Sequence, residues 1–427
     1  MQKRNLLIII LFLFTGTIGW SAERIRQNFD FDWQFRLGEQ GIYKPVQLPH
    51  DWSIELDFNE EVGPESGYLP GGIGYYKKDF NVPASYKGKR VSIVFDGIYH
   101  KATIYLNGQE VDYHRYGYTS FETDLTPYLK YGGKNTLSVK VDHSEKSRWY
   151  TGSGIYRHVW MQVTNPIHVK MWGTYITTPR VSAESAIVSC VTTVANTSAL
   201  TGEIEIMQRI VDAQGNLLKI NGKQYAARTE VVMPENGTKD IAQSFTLSNP
   251  QLWNLEKPYL YRLETILKQK GKVIDRYTTR FGVRTIGFDK DKGFFLNGKN
   301  IKMKGACLHQ DAGCLGVAVP NRSYERRLTI LKEFGANAIR CSHNPPSPEF
   351  LNYCDSIGFL VVDEAFDKWK SGYYEQFFDE CWQQDIRDMI VRDRNHPSIV
   401  LWSIGNELAE ATRKDNVGVE RATLLRD

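Results

Sequence analysis

The sequence predicts a multidomain chain that joins β folds to an α/β fold: an all-β sandwich, an immunoglobulin-like β-sandwich, and the first half of a (β/α)8 TIM barrel. Short β-rich runs separated by turn residues continue to about residue 283, and strands then alternate with helices four times. Regular strand and turn spacing is typical of sandwiches, whereas strand–helix alternation is typical of a parallel barrel. A chain of 427 residues has room for two to four such domains.

The amino terminus has the pattern of a secretory signal, predicted here as residues 1–22. Lys3 and Arg4 precede an unbroken apolar stretch, 6–14, which is followed by small residues. The stretch is too short to span a bilayer, so we expect no stable membrane anchor. Cleavage after Ser21 fits better than cleavage after Ala22. We therefore expect an exported protein, periplasmic or extracellular.

Two stretches predict the sandwiches, one over 23–165 and the other over 166–283. In the first, Asn107-Gly108 lies between two β-rich runs, which is a strong signal for a tight hairpin. In the second, about seven short strands fit an immunoglobulin-like sandwich.

The third stretch, 284–427, predicts four strands that all end in polar side chains. In a parallel barrel the loops at the carboxyl ends of the strands build the active site, so these side chains are expected to share one site. The predicted strand endings are His309 with Asp311, Arg340 with His343 and Asn344, Asp363 with Glu364, and Asn406 with Glu407.

Composition excludes some classes of function. The 53 basic and 49 acidic residues leave a net charge of +4 without a basic cluster, which argues against a nucleic-acid partner. The six cysteines form no CxxC pair, and no histidine cluster has metal-ligand spacing, so neither a disulfide framework nor a metal site is predicted. Cys341 is expected to be a small buried side chain. The sequence neither predicts nor excludes a homo-oligomer.

Residues 392–407, Arg-Asp-Arg-Asn-His-Pro-Ser-Ile-Val-Leu-Trp-Ser-Ile-Gly-Asn-Glu, resemble the acid/base strand of glycoside hydrolase family 2, the β-galactosidase and β-glucuronidase group. The resemblance implies that Glu407 is the general acid/base and that Asn406 binds the sugar 2-hydroxyl. It also implies that His309, Arg340 and His343 bind the substrate or support the site. We add Asp311 and Asn344 to the substrate-binding set because they follow the same strands.

The chemistry explains why such a strand needs its glutamate. A glycosidic bond breaks when a proton is delivered to a poor alkoxide leaving group, and a carboxylic acid kept protonated near neutral pH supplies it. In retaining enzymes a second carboxylate roughly 5 to 5.5 Å away attacks the anomeric carbon, and its charge raises the pKa of the acid. Four strands are half of a barrel of roughly 250 residues, so the resemblance puts this nucleophile beyond residue 427. Glu364 or Asp311 would be the alternatives within the chain.

The resemblance also reaches the first sandwich, through motifs such as 48–52, 74–78 and 148–157, and implies that it is a jelly-roll sugar-binding domain. Residues 153–157 are expected to pack this domain on the barrel. The implied function is a retaining, exo-acting hydrolase of terminal β-galactosides in oligo- or polysaccharides. The alternatives are a β-glucuronidase and a catalytically inactive carbohydrate-binding fragment.

A cofactor is not expected. Some members of the family hold Mg²⁺ with a glutamate and a histidine shortly after the third strand. Here the corresponding stretch, 364–369, contains no histidine.

Overall fold

The computed structural model describes residues 23–427 except 146, 221–222, 370–372 and 410–415. The predicted signal, 1–22, therefore lies outside the described residues. Among the helices that are described, none is long and apolar enough to cross a membrane.

The first sandwich consists of two antiparallel sheets. Its strands, in chain order, are β1 Ile25–Asn28, β2 Trp33–Leu37, β3 Lys44–Val46, β4 Gly72–Val82, β5 Arg90–Phe95, β6 Ala102–Leu106, β7 Gln109–His114, β8 Phe121–Asp124, β9 Gly133–His143 and β10 Val159–Thr164. One sheet has the order β1-β10-β5-β8 and the other has the order β3-β2-β4-β9-β6-β7. Their inner faces form one core that includes the fully buried Trp33, Trp52 and Tyr76.

The predicted hairpin at Asn107-Gly108 is confirmed. These two residues connect β6 to β7, which pair antiparallel. Both have positive φ, 54° at Asn107 and 85° at Gly108. A two-residue turn of this type requires positive φ at both positions, and asparagine and glycine tolerate it best.

The second sandwich is also built from two facing sheets, as predicted. Its strands are β11 Ile167–Val181, β12 Ser185–Asn196, β13 Gly202–Val211, β14 Lys219–Ile220, β15 Lys223–Gln224, β16 Ala227–Met233, β17 Gly237–Ser248, β18 Tyr261–Gln269 and β19 Lys272–Phe281. The orders β11-β12-β17 and β16-β13-β18-β19 make a seven-stranded sandwich within the described residues, and β14 and β15 form a small added hairpin.

The third unit begins with a small antiparallel sheet and continues as a parallel one. The small sheet contains β20 Ile286–Asp289, β21 Gly293–Leu296 and β22 Lys299–Asn300. The parallel sheet has the order β23-β24-β25-β26, with strands β23 Gly305–Leu308, β24 Ala338–Cys341, β25 Leu360–Glu364 and β26 Ile399–Ser403. The helices are α1 Asn321–Glu333, α2 Pro348–Ile357, α3 Phe378–Asp393 and α4 Val417–Arg426. This strand–helix alternation is the first half of a barrel, as the sequence predicted.

The burial of β26 differs from what its sequence alone predicts. The apolar run 399–404 is typical of a strand buried on both faces, but the structure leaves Leu401 41% exposed and Trp402 37% exposed. The reason is that β26, within the described chain, pairs only with β25 and forms an edge of the sheet. At the opposite edge, residues 305–307 of β23 are exposed as well.

Aromatic packing fixes the first sandwich against the barrel strands. One buried cluster joins four tyrosines of the sandwich to the segment between β25 and α3. Its members are Tyr99, Tyr116, Tyr118 and Tyr156 of the sandwich, Ala365, Phe366, Trp369, Tyr374 and Phe377 of that segment, and Phe378, the first residue of α3. Arg157 adds a buried hydrogen bond of 2.8 Å to the carbonyl of Pro345. The packing role predicted for 153–157 is thus confirmed at Arg157. The contact brings a loop of the sandwich to the carboxyl ends of the strands.

The second sandwich is fixed to the start of β26. The Asn395 side chain accepts from Ile176 N at 2.9 Å and donates to Thr174 O at 2.8 Å. Next to it, His396 Nδ1 lies 2.6 Å from Asp355 Oδ2. The motif that enters β26 is therefore a structural joint, and the candidate site lies at the other end of the strand.

Candidate active site

Glu364, the last residue of β25, is the centre of a polar network at the strand ends. Its carboxylate is fully buried. Oε2 accepts from Arg340 at 2.9 Å (Nε) and 2.7 Å (Nη2), and from the Ser403 hydroxyl at 2.6 Å. Oε1 lies 2.7 Å from His343 Nδ1. The network joins side chains from the ends of β24, β25 and β26, as the shared-site prediction expected.

Asn406 is attached to this network and held in one orientation. Its Oδ1 accepts from Arg340 Nη2 at 3.1 Å, and its Nδ2 donates to Asp367 Oδ1 at 2.9 Å. Its backbone N–H donates to the carbonyl of Asp367 at 2.8 Å. Because the amide has a fixed acceptor side and a fixed donor side, it can offer a sugar hydroxyl a defined partner.

Glu407 follows with an exposed side chain in an unusual backbone conformation. Its φ is 45°, the left-handed region that glutamate rarely adopts. The side chain is 71% exposed, whereas that of Lys368 beside it is only 8% exposed. Lys368 Nζ donates to Asn406 O at 2.8 Å, to Glu407 O at 3.0 Å and to Glu407 Oε2 at 3.2 Å.

The first sandwich contributes two residues to this region. Arg148 donates from Nη2 to Glu407 Oε2 at 3.3 Å, and its Nε lies 2.8 Å from Asp367 Oδ2. The Trp149 ring lies 5.1 Å from the ring of His309 and 5.7 Å from that of His343. Indole and imidazole rings in this arrangement form a wall with apolar faces and polar edges.

His309, which directly follows β23, reaches the site through ring contacts. Its ring centroid lies 5.3 Å from that of His343, and its buried Nδ1 has no hydrogen-bond partner among the described residues. Burial lowers the pKa of His309 below its usual value, and the nearby His343 lowers it further. A neutral imidazole offers one donor and one acceptor, which suits a hydroxyl-bearing ligand.

The other two predicted residues lie apart from the network. Asn344 is buried and its Nδ2 donates to the neighbouring Pro345 carbonyl at 3.0 Å, while its Oδ1 has no hydrogen-bond partner in the part of the chain that the structure describes. Asp311 Oδ2 accepts from Gly313 N at 3.2 Å and so closes a local turn. A substrate-binding role for either residue stays a prediction.

The sequence predicts Asp363 and Glu364 as one strand ending, but the structure places their side chains in different surroundings. Successive side chains of a strand point to opposite faces. Glu364 therefore faces the site, and Asp363 is buried near Asp393 at the end of α3. Burial and the Asp393 carboxyl raise the pKa of Asp363 well above its usual range.

The charge around Glu407 differs from what the acid chemistry predicted. The hydrogen bond and the positive charge of Lys368 lower the pKa of Glu407 below its usual value, and Arg148 and His343 act in the same direction. With this set of neighbours the carboxyl is ionised near neutral pH. A second negative charge close to Glu407 is needed to make it a proton donor.

Neither alternative nucleophile is placed for attack. Glu364 is fully buried and both of its oxygens are bonded, by Arg340, Ser403 and His343. The Asp311 carboxylate accepts from Gly313 N and closes a local turn. The Glu364 carboxylate is better suited to orient Arg340 and His343 than to attack a carbon atom.

The stretch after β25 does not fit Mg²⁺. A hard cation requires free carboxylate oxygens, but those of Glu364 accept from Arg340, Ser403 and His343, and Lys368 adds a positive charge. In the part of the chain that the structure describes, no group of three acidic, histidine or cysteine side chains could hold a metal ion. All six cysteines are described and none forms a disulfide; Cys341 is buried.

Sequence reasoning missed Arg148, Trp149, Lys368, Asp367 and Ser403. The motif 148–157 resembles the sugar-binding domain, and the packing role is predicted for 153–157 only, so neither Arg148 nor Trp149 is assigned to the site. Lys368 lies in the stretch 364–369, and its positive charge is the signal that this stretch offers. Ser403 ends a strand as a single hydroxyl, and its sequence carried no signal.

Three family descriptions match consecutive parts of the chain. They are "Glycosyl hydrolases family 2, sugar binding domain" over 30–166, "Glycosyl hydrolases family 2" over 167–284, and "Glycosyl hydrolases family 2, TIM barrel domain" over 289–422. Together they account for most of the described residues.

Individual relatives agree with this assignment. The β-galactosidase BoGH2A of Bacteroides ovatus is 44% identical over 95% of this chain and 49% of that protein. A β-glucuronidase of Formosa agariphila is 31% identical over 90% of this chain and 42% of that protein. The crystal structure of a glycosyl hydrolase family 2 member from Bacteroides cellulosilyticus superimposes with a TM-score of 0.89 at 39% identity, over 94% of this chain and 54% of that one.

The chain spans about half the length of the curated relatives it matches. Its two sandwiches and its parallel strands follow the order of the three matched descriptions. The chain therefore belongs to glycosyl hydrolases family 2.

Proposed function

We propose that this chain forms the amino-terminal half of a retaining, exo-acting hydrolase of terminal β-galactosides, with Glu407 as general acid/base. The observation that carries the proposal is the exposed Glu407 carboxylate beside Asn406, at the carboxyl end of β26. The side chains around it are suited to sugar hydroxyls, and the relatives include β-galactosidases.

The residues divide the work by their positions. Glu407 delivers a proton to the leaving-group oxygen, and after the aglycone has left, with the glycosyl group bound to the nucleophile, it takes a proton from the water that attacks the glycosyl carbon. Asn406, held by Arg340 and Asp367, binds a ring hydroxyl. The Trp149, His309 and His343 rings form a wall for the sugar.

The second carboxylate belongs to the part of the protein that follows residue 427. The share of the relatives that this chain covers, about half, supports this division. The charge of that carboxylate would offset Lys368 and raise the pKa of Glu407 until the nucleophile is glycosylated.

A β-glucuronidase is the second candidate. Arg148 is half-exposed beside Glu407, and an exposed guanidinium suits a sugar that carries a carboxylate. Relatives named β-glucuronidase support it as well. An assay of the complete protein with an aryl β-galactoside and an aryl β-glucuronide separates the two, since the preferred sugar should have the much higher kcat/KM.

Glu407→Gln in the complete protein tests the role of the acid. The variant keeps the shape and loses the proton, so alkyl glycosides with poor leaving groups should lose about 10²- to 10⁴-fold in rate. Aryl glycosides with good leaving groups need little protonation and should lose far less at the bond-breaking step. Glu235→Gln is the matched control, since this exposed glutamate lies between β16 and β17 of the second sandwich, outside the site. Equal losses on both substrate classes would make Glu407 a structural residue.

Export is part of the proposal and rests on the amino-terminal pattern alone. Mass spectrometry of the secreted or periplasmic protein should find a new amino terminus near Ala22 or Glu23. A mature protein that retains Met1 would contradict it.

A further inference from the structure

We propose that Lys368 is the positioning residue of the acid: its ammonium holds the 406–407 turn and the Glu407 carboxylate together, so that the carboxylate points into the site. This inference rests on the proposed role of Glu407. It assigns Lys368 a specific task in the same reaction.

The Lys368 ammonium donates its hydrogen bonds to the 406–407 turn. A lysine ammonium has three N–H donors, and Lys368 has three oxygens within hydrogen-bond distance, all on Asn406 and Glu407. Two of them are backbone carbonyls of adjacent residues. A buried lysine whose described hydrogen bonds all go to one turn fixes the conformation of that turn.

The turn that Lys368 contacts contains a residue in the left-handed conformation, Glu407. A non-glycine residue in the left-handed region persists only where its surroundings hold it. At Glu407, φ is 45°, and the carbonyl groups on both sides of this φ accept from Lys368. The lysine thus stabilises a backbone conformation that directs the Glu407 side chain.

The first sandwich also contacts the 406–407 turn, through Arg148. Arg148 of the first sandwich contacts both Glu407 and Asp367, and Asp367 in turn accepts from Asn406. Lys368 itself follows Asp367 in the same loop. Residues from the barrel and from the sandwich therefore restrain the acid together, but Lys368 is buried and Arg148 is 49% exposed. Lys368 should dominate because it also donates to the two backbone carbonyls of the turn, whereas Arg148 contacts Glu407 only through an exposed ion pair, which contributes little.

The charged groups that face Glu407 set the direction of the pH effect. They are Lys368 and Asp367 after β25, Arg148 of the sandwich and His343 after β24, with Arg340 and Glu364 behind them. Removal of the Lys368 charge takes away the largest influence that keeps the Glu407 carboxyl ionised. The alkaline limb of kcat/KM, where the acid loses its proton, should therefore move to higher pH.

Three substitutions in the complete protein separate charge from geometry. Lys368→Met removes both, Lys368→Gln keeps amide donors for the turn without the charge, and Lys368→Arg keeps the charge with a planar group of different shape. We expect Lys368→Met and Lys368→Gln to shift the alkaline limb to higher pH and Lys368→Arg to leave it in place. We also expect Lys368→Met to lose at least about tenfold more rate on alkyl than on good-leaving-group aryl glycosides, as part of the general-acid contribution.

The outcomes distinguish this inference from the proposed function. If Lys368→Met does not fold, as judged by circular dichroism, the comparison of Gln with Arg decides. An unmoved limb in the Gln variant, together with equal losses on both substrate classes, would overturn the inference. Glu407→Gln is measured in parallel: if it is selective for poor leaving groups while the lysine variants are not, only the lysine inference fails. If Glu407→Gln itself is unselective, the proposed function fails as well.

Discussion

Asp385→Asn should change how the stability of the third unit depends on pH. Asp385 lies in α3, buried against the first sandwich, where its Oδ1 accepts from Thr119 Oγ1 at 3.4 Å and its Oδ2 accepts from the Tyr374 hydroxyl. Burial raises the pKa of Asp385 to about 7 from the ordinary 3.8. The hydrogen bonds only partly offset this effect.

The sign follows from proton binding in the two states. Between about pH 4 and pH 7 the unfolded chain has lost the proton of Asp385 and the folded chain still holds it, so stability falls as pH rises. The contribution is fully present below the unfolded pKa and is lost as pH rises through the folded one. A difference of about three pKa units corresponds to about 4 kcal/mol at most. Asparagine stays neutral and retains an acceptor for Tyr374, so the variant avoids this loss.

The assay is urea unfolding followed by the helical far-UV signal, since the described α-helices lie in the third unit. The free energy of unfolding of Asp385→Asn relative to the parent should rise by up to about 4 kcal/mol between about pH 4 and pH 7.5. Asp379→Asn, at an exposed position in the first turn of the same helix, should show little change. A difference between variant and parent that is constant with pH would refute the reasoning.

Three further predictions concern the His158–Asp30 pair, the Trp149 ring and the response to a chelator. Burial lowers the pKa of His158, but the hydrogen bond to Asp30 and nearby carboxylates raise it to about 9; stability from this pair should be full below about pH 6.5 and lost as pH rises through 9, and urea unfolding should show no such loss in His158→Gln. Trp149→Ala should raise KM more than Trp149→Phe, which keeps a ring against His309 and His343, when measured by steady-state kinetics. Treatment with a chelator should leave kcat/KM unchanged, since Lys368 and the bonded Glu364 leave no place for Mg²⁺ after β25; a loss restored by Mg²⁺ would contradict this.

The order of the folds and most of the strand ends can be predicted from the sequence. Periodicity and turn residues are local signals, so they predict the hairpin at Asn107-Gly108 and the parallel strands. Alternation along each strand and the rule for barrel loops also brought Arg340, His343 and Asn406 into one predicted site. The resemblance added the role of Glu407, which no local pattern carries.

The contacts between polar groups from different segments depend on the tertiary structure. Glu364 became the centre of the network because Arg340, His343 and Ser403, from three separate segments, converge on its two oxygens. Arg148 reaches Glu407 across 259 positions of sequence, through the docking of one domain on another. Leu401 and Trp402 are exposed because burial depends on which strand lies beside β26, not on their own apolar character. Such contacts depend on the distances between atoms far apart in the chain, and these distances are set by packing between domains.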